Sequence, residues 1–368
     1  MNPFKPTAGK TPPALIGRDY VLEEFLEGIE NGPGAPSRLM RITGIRGMGK
    51  TVMLNEVAAE ARRQGWAVID ETASEGLCDR IVALAAPEHV SRIDAAPSAL
   101  GVSLGSVQID RAALTLRHAL SDAIKKNGRG LLITLDEVQD APLDEVRALA
   151  IAIQHLIRDD LDIAFVFAGL PSMIESVVNG KTLTFLRRAV PVDLAPVSLA
   201  EVTSSFLGIM RETGVALSDD LATDLAAITQ GYPFMIQLVG YHVWQLASRA
   251  DGTVTRRVAE QGVAVARERF DATVIEPALQ RLPPSLLEYL LAMAEDEGAS
   301  CDSGVVARRL GKTVQQVSTC RARLIADDVI EASGWGSVSF AVPYMADYLN
   351  ANRAEIEAKV LCKRRPRA

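Results

Sequence analysis

The chain is 368 residues long, 48% hydrophobic, 23% charged and only 5% aromatic, with a formal net charge of −7. That length suits two or three domains with aliphatic cores, and the composition is that of an ordinary globular protein. The negative balance excludes a surface that grips nucleic acid everywhere, so any basic contact must be local.

The four cysteines, Cys78, Cys301, Cys320 and Cys362, form no C-x-x-C pair, so neither a zinc site nor a redox motif is suggested. Free thiols suit a reducing compartment. The opening MNPFKPTAGKTPPAL lacks the apolar centre of a signal peptide. No apolar run reaches the ~18 residues that a membrane span needs. The expectation is a cytoplasmic protein with no membrane partner.

Residues 1–13 carry four prolines and two lysines and read as a flexible arm. Leu15-Ile16-Gly17-Arg18 then leads into an amphipathic helix through Tyr20, Leu22, Phe25, Leu26 and Ile29. After a turn-rich link comes the strongest motif: Gly44-Ile45-Arg46-Gly47-Met48-Gly49-Lys50-Thr51, which is G-x-x-x-x-G-K-T. An apolar strand (Leu39, Met40, Ile42) leads into it and a helix beginning at Thr51-Val52 follows. The glycines let the backbone close on a phosphate, and the helix start turns free N–H groups and a positive dipole end toward that anion. Lys50 is placed for the β- and γ-phosphates of a nucleotide, and the Thr51 hydroxyl for Mg²⁺.

Trp66 to Asp70 reads as a second strand and Leu77 to Ala86 as a helix. The stretch 87–105 is broken by prolines, glycines and serines and reads as an insertion or surface loop. After a helix from Arg111 to Asn127, Leu131-Leu132-Ile133-Thr134-Leu135 ends in Asp136-Glu137. A buried strand that delivers two adjacent carboxylates, downstream of such a loop, reads as a Mg²⁺ ligand (Asp136) followed by a general base for water (Glu137). A further buried strand, Asp162 to Gly169, runs into Ser172, which either touches the γ-phosphate or caps the next helix. Arg187 and Arg188 precede the strand Val190 to Leu194; they either face a neighbouring subunit's phosphate or form a solvated helix end. Strand–helix alternation to this point predicts an α/β fold with a parallel sheet covered by helices on both faces.

From 198 to 280 the pattern is helical throughout, with Gly231-Tyr232-Pro233 fixing a turn between two helices. Beyond Arg281-Leu282-Pro283-Pro284, three short helices and a hairpin around Gly334-Trp335-Gly336 read as a winged helix-turn-helix. Gln315, Gln316, Ser318, Arg321 and Arg323 are the outward candidates on its third helix and Trp335 on its wing, for double-stranded DNA. Acidic neighbours (Glu295, Asp296, Glu297, Asp327, Asp328) oppose phosphate, so a protein partner is the alternative. Lys363-Arg364-Arg365-Pro366-Arg367 is a short basic tail.

In this order the parts resemble the AAA+ ATPases of the origin-recognition and initiator type, related to the STAND and archaeal-type signalling ATPases. The resemblance spans residues 14 to about 348. It implies a nucleotide-binding domain over 14–197, a helical lid over 198–280, a winged helix over 281–350, and a terminal helix and basic tail over 351–368. It implies ATP or ADP with Mg²⁺, hydrolysis of ATP, and homo-oligomers in the ATP-bound state. By resemblance, Leu15, Ile16 and Gly17 line the adenine pocket, Tyr232 and Pro233 close it from the lid, and Arg187 or Arg188 is an arginine finger. The strand ending at Gly169 lacks the family's polar sensor, and the helix after Pro233 lacks its second-sensor arginine. Both departures imply slow turnover and a switch rather than a motor. A signalling ATPase with a protein-binding winged helix is the alternative; a small-molecule kinase fits the helical lid and winged helix less well.

Overall fold

The computed structural model describes residues 1–7, 16–86, 106–171, 174, 185–296 and 300–364. Leu15, Ser172, Glu297, the broken stretch 87–105, and Arg365 and Arg367 of the basic tail lie outside the described residues.

Five strands form one parallel sheet: β1 (Leu39–Thr43), β2 (Ala67–Thr72), β3 (Leu131–Asp136), β4 (Ile163–Gly169) and β5 (Val190–Asp193), in the spatial order β2-β3-β4-β1-β5. The long apolar runs are explained by burial on both faces. In β4, Phe165 and Phe167 join one core while Ala164, Val166 and Ala168 join the other. The first core is shut by α3 (Leu77–Ala85), α4 (Ser106–Asn127) and α5 (Leu143–Arg158). On the opposite face pack α1 (Asp19–Glu30) and α2 (Lys50–Arg63), and that core runs on into the C-terminal half. All strand C-termini point one way. The loops that follow β1 and β3 therefore meet at one rim, as ligand loops do in open α/β sheets.

The next helices are α6 (Leu199–Glu212), α7 (Asp219–Thr229), α8 (Pro233–Arg249) and α9 (Arg256–Phe270). The helix α9 does not end at Phe270. It passes through a π-helical turn, Asp271–Ile275, into α10 (Glu276–Gln280). Such insertions widen a helix locally and concentrate at functional sites.

The C-terminal part contains α11 (Pro284–Met293), β6 (Cys301–Asp302), α12 (Ser303–Arg309), α13 (Val314–Ala326), β7 (Ile330–Ala332) and β8 (Ser337–Phe340). Its antiparallel sheet has the order β6-β8-β7. Three helices and a three-stranded sheet with a glycine-turned hairpin are the winged-helix arrangement read in the sequence. Two last helices, α14 (Met345–Ala351) and α15 (Arg353–Arg364), pack back on it. Tyr344 couples this part to the lid: its hydroxyl donates to the Ile228 carbonyl, its ring meets Phe270 edge-on, and the Arg267 guanidinium lies 3.3 Å from the ring centre.

The opening residues depart from the sequence reading of a flexible arm. Phe4 is 1% exposed and packs edge-on against Phe206. Hydrophobic burial of one aromatic ring outweighs the proline- and lysine-rich composition around it. No helix among the described residues is long and apolar enough to cross a membrane.

Candidate functional site

The loop between β1 and α2 closes on itself in the way its glycines permit. Gly47 and Gly49 hold φ of +81° and +89°, left-handed values that side-chained residues rarely adopt. Gly49 ends that loop as the residue before α2, and Lys50 opens the helix. Lys50 is 6% exposed, and its Nζ donates to the Gly44 carbonyl at 2.8 Å. Burial pulls its pKa down, against the carboxylates of Glu137 and Asp136, which pull it up.

Opposite stands the end of β3. Thr51 Oγ1 donates to Asp136 Oδ2 at 2.5 Å, and the Glu137 N–H donates to Asp136 Oδ1 at 2.9 Å. Burial pushes the Asp136 carboxyl up, offset by these two donors. A threonine hydroxyl and a carboxylate oxygen in contact are two hard oxygen donors. That is the kind of partial shell Mg²⁺ accepts, its remaining positions being filled by water and phosphate. Glu137 has φ of +51°, which turns it off the strand line and into the cavity wall. The Gln139 amide donates to Glu137 Oε2 at 2.5 Å. Gly169 at the end of β4 makes room for that glutamine: a Cβ there would lie 2.5 Å from Gln139 Oε1.

A cavity of about 610 Å³ opens between this loop and the lid. Arg46, Gly47, Met48, Gly49, Lys50, Thr51, Val52 and Glu137 line one part of it; Ile16, Leu194, Val197, Pro233 and Phe234 line another. The size and the mixed lining are those of a small-ligand site.

Several candidates lie elsewhere. Tyr232 is fully buried and does not line the cavity. It stands behind the loop, where its hydroxyl donates to the Arg46 carbonyl and its ring fills the space that a Cβ on Gly47 would need. Gly231 is held at φ +69° against the Val197 carbonyl, and a Cβ there would be 2.1 Å from it, so the turn requires glycine. Gly17 faces Val197 and Glu201, and Gly44 faces Leu194 and Met48; both are outside the lining. Arg187 and Arg188 are exposed on a single turn that leads into the start of β5. In a parallel sheet the strand starts form the rim opposite Lys50, so any phosphate these arginines meet belongs to another molecule.

On α13, Gln315, Ser318 and Arg323 are exposed, but Arg323 is within 3.8 Å of Asp327. Gln316 is also exposed and closes a capping box with Thr313. Arg321 is half-buried, with Nε enclosed and lacking a hydrogen-bond partner. Trp335 is fully exposed on the wing.

Two features had no counterpart in the sequence reading, Gln139 and the lining residues Lys5, Pro6 and Thr7, and a third, Asp328, was read only as an acidic neighbour of the winged helix. Asp328, in the left-handed conformation (φ +51°) just past α13, is close enough to feel Lys50, Arg46 and Glu137, and its Oδ2 is buried without a partner. Burial pushes its carboxyl up to about 6, while Lys50 and Arg46 hold it down. Glu137-Val138-Gln139 could have flagged the glutamine by its spacing. Nothing local could have flagged an aspartate nearly three hundred residues from the loop it faces.

A P-loop after β1, a carboxylate pair at the end of β3 two strands away across β4, and a helical lid are the arrangement of the AAA+ fold. Residues 14–166 match the AAA ATPase domain family, and residues 272–349 match a Domain of unknown function (DUF8462). The ORC2 protein of Aeropyrum pernix, solved as ADPNP–ADP complexes, is 16% identical with a TM-score of 0.66, covering 97% of this chain and 98% of that one. The Walker-type ATPase of Pyrococcus abyssi is 16% identical with a TM-score of 0.63, covering 91% and 96%. Cdc6p from Pyrobaculum aerophilum is 15% identical with a TM-score of 0.50, covering 96% and 98%. No curated protein matches in sequence. Residues 14–166 thus match the AAA ATPase domain family, and the chain as a whole has an origin-recognition-like AAA+ fold.

Proposed function

We propose that the chain is an ATP-binding AAA+ switch that hydrolyses ATP slowly and contacts double-stranded DNA through its winged helix. The observation that carries the nucleotide part is that Lys50, Thr51 and Glu137 line one end of the cavity, with Asp136 hydrogen-bonded to Thr51 behind them. The loop amides and the start of α2 would take the phosphates, with Lys50 turning from the Gly44 carbonyl to the β- and γ-oxygens. Thr51 and Asp136 would hold Mg²⁺, which when bound neutralises charge on the phosphate oxygens. Glu137 would take a proton from the attacking water, with Gln139 fixing its carboxylate. Ile16, Pro233 and Phe234 would flank the base.

Arg187 and Arg188, on the far rim of the sheet, suit a finger offered to a neighbouring copy, so ATP-dependent homo-oligomers are part of this reading. With no sensor arginine on α8, two nucleotide states with different lid positions fit better than rapid turnover.

For DNA, Gln315, Ser318, Arg323 and Trp335 are the accessible candidates; Gln316 and Arg321 would have to leave their present positions. The second reading, a signalling ATPase whose winged helix binds protein, draws on Asp328, which lies just past α13 and close enough to feel Lys50 and Arg46 of the P-loop. Titrating salt against an electrophoretic shift separates the two. Phosphate contacts predict that affinity for duplex DNA falls steeply between low and physiological salt. Binding that is absent, or indifferent to salt, favours the protein partner.

A further inference from the structure

We propose that residues 2–7 form a wall of the nucleotide site, fastened to the lid and supplying contacts to the base rather than to the phosphates. This rests on the nucleotide reading above and adds to it a binding element outside every motif of the chain.

The segment is anchored before it reaches the cavity. Phe4 enters a slot whose floor is Gly240 of α8; a Cβ there would lie 2.3 Å from the Phe4 ring. Glycine in a helix interior is unfavourable relative to alanine, and the ring occupying that space gives it a reason. Polar contacts flank the ring. Asn2 Nδ2 donates to the Tyr241 carbonyl at 2.9 Å, and the Lys5 N–H donates to Gln237 Oε1 at 2.9 Å. Residues 237, 240 and 241 are neighbours on one face of a helix, so the segment is stapled along a single stripe of the lid. Asn2 also braces the segment itself, accepting from the Phe4 N–H through its side chain and from Lys5 Nζ through its carbonyl.

Beyond the anchor, Lys5, Pro6 and Thr7 enter the cavity lining together with Gln237 and, from the π-helical turn and α10, Thr273, Val274, Pro277 and Ala278. None of these is among the P-loop and carboxylate residues that suit phosphate and metal. Proline, valine and alanine surfaces suit the flat faces of a heteroaromatic ring. Because the Lys5 N–H occupies Gln237 Oε1, the Gln237 amide nitrogen is the end left to donate to a ring nitrogen of a purine. The π-helical turn and the segment thus approach the same ligand from two ends of the chain.

Two measurements test this on the full-length protein. A K5G/P6G/T7G variant keeps Asn2 and Phe4 but removes the wall. Its ATP affinity should fall about tenfold or more, while its affinity for inorganic tripolyphosphate, which has no base, stays that of the wild type. Hydrogen exchange at the Lys5 and Thr7 amides should slow on adding ATP to the wild type and not on adding tripolyphosphate. Equal loss for ATP and tripolyphosphate, unchanged ATP affinity, or amides indifferent to ATP would overturn the wall and leave the nucleotide reading standing. A wild type that binds tripolyphosphate no worse than ATP would also overturn it. A wild type that binds neither would overturn both.

Discussion

Replacing Asp328 by asparagine tests how the C-terminal part is set against the P-loop. The folded protein holds the Asp328 proton more tightly than the unfolded chain does, because burial raises the carboxyl from 3.8 to about 6. A carboxyl raised in the folded state costs nothing while protonated. The cost grows as pH rises from about 4 to about 6 and is complete above that. A full shift of this size corresponds to at most ~3 kcal/mol. The side chain keeps partial access to water, which screens the penalty, so about 1 kcal/mol is the expected effect. Asparagine keeps the shape and never ionises. The Asn variant should therefore melt about 1–2 °C above the wild type at pH 8, with the difference shrinking toward pH 4.5. Paired thermal melts across that range are the assay. Lower stability at pH 8 would mean that attraction to Lys50 and Arg46 outweighs burial; an equal difference at every pH would mean that ionisation of Asp328 is irrelevant.

Tyr232→Phe removes the donor to the part-buried Arg46 carbonyl without opening a cavity. Losing that bond should cost about 0.5–1.5 kcal/mol of stability, read from the denaturant midpoint, and weaken ATP binding; an unchanged midpoint would show that the lid does not brace the loop through this bond. Glu137→Gln keeps size and hydrogen bonding but cannot accept a proton, so turnover should fall by roughly a hundredfold with ATP binding retained. Intact turnover, followed by phosphate release, would remove Glu137 as the base. If Arg187 and Arg188 act on a neighbour, specific ATPase activity should rise with protein concentration, and R187A/R188A should abolish that rise. A flat profile in the wild type would remove the finger.

The P-loop end of the cavity was legible in the sequence because its geometry is local. Gly47 and Gly49 adopt the left-handed backbone that the motif needs, and the strand-to-helix context fixes Lys50 and Thr51 relative to them. Asp136 and Glu137 followed from one strand and its register beside β4. The α/β sheet, helical lid and winged helix followed from periodicity and from the glycines and prolines between them. The remainder depends on contacts across long stretches of chain. Phe4 reads as part of a polar arm until Gly240 supplies its slot. Tyr232 reads as a wall of the ligand site, yet the missing side chain of Gly47 lets it pack behind the loop instead. The π-helical turn at 271–275 leaves the helical periodicity nearly intact, so nothing in the sequence separated it from an ordinary helix.

Isothermal titration of the folded full-length chain with ATP and Mg²⁺, beside K50A as control, bears most directly on the central claim. Uptake of one ATP per chain, weakened at least about tenfold without the charge-assisted contacts of Lys50, is the predicted result. Well-folded protein that takes up no ATP, or a K50A protein that binds it as tightly as the wild type, would contradict it.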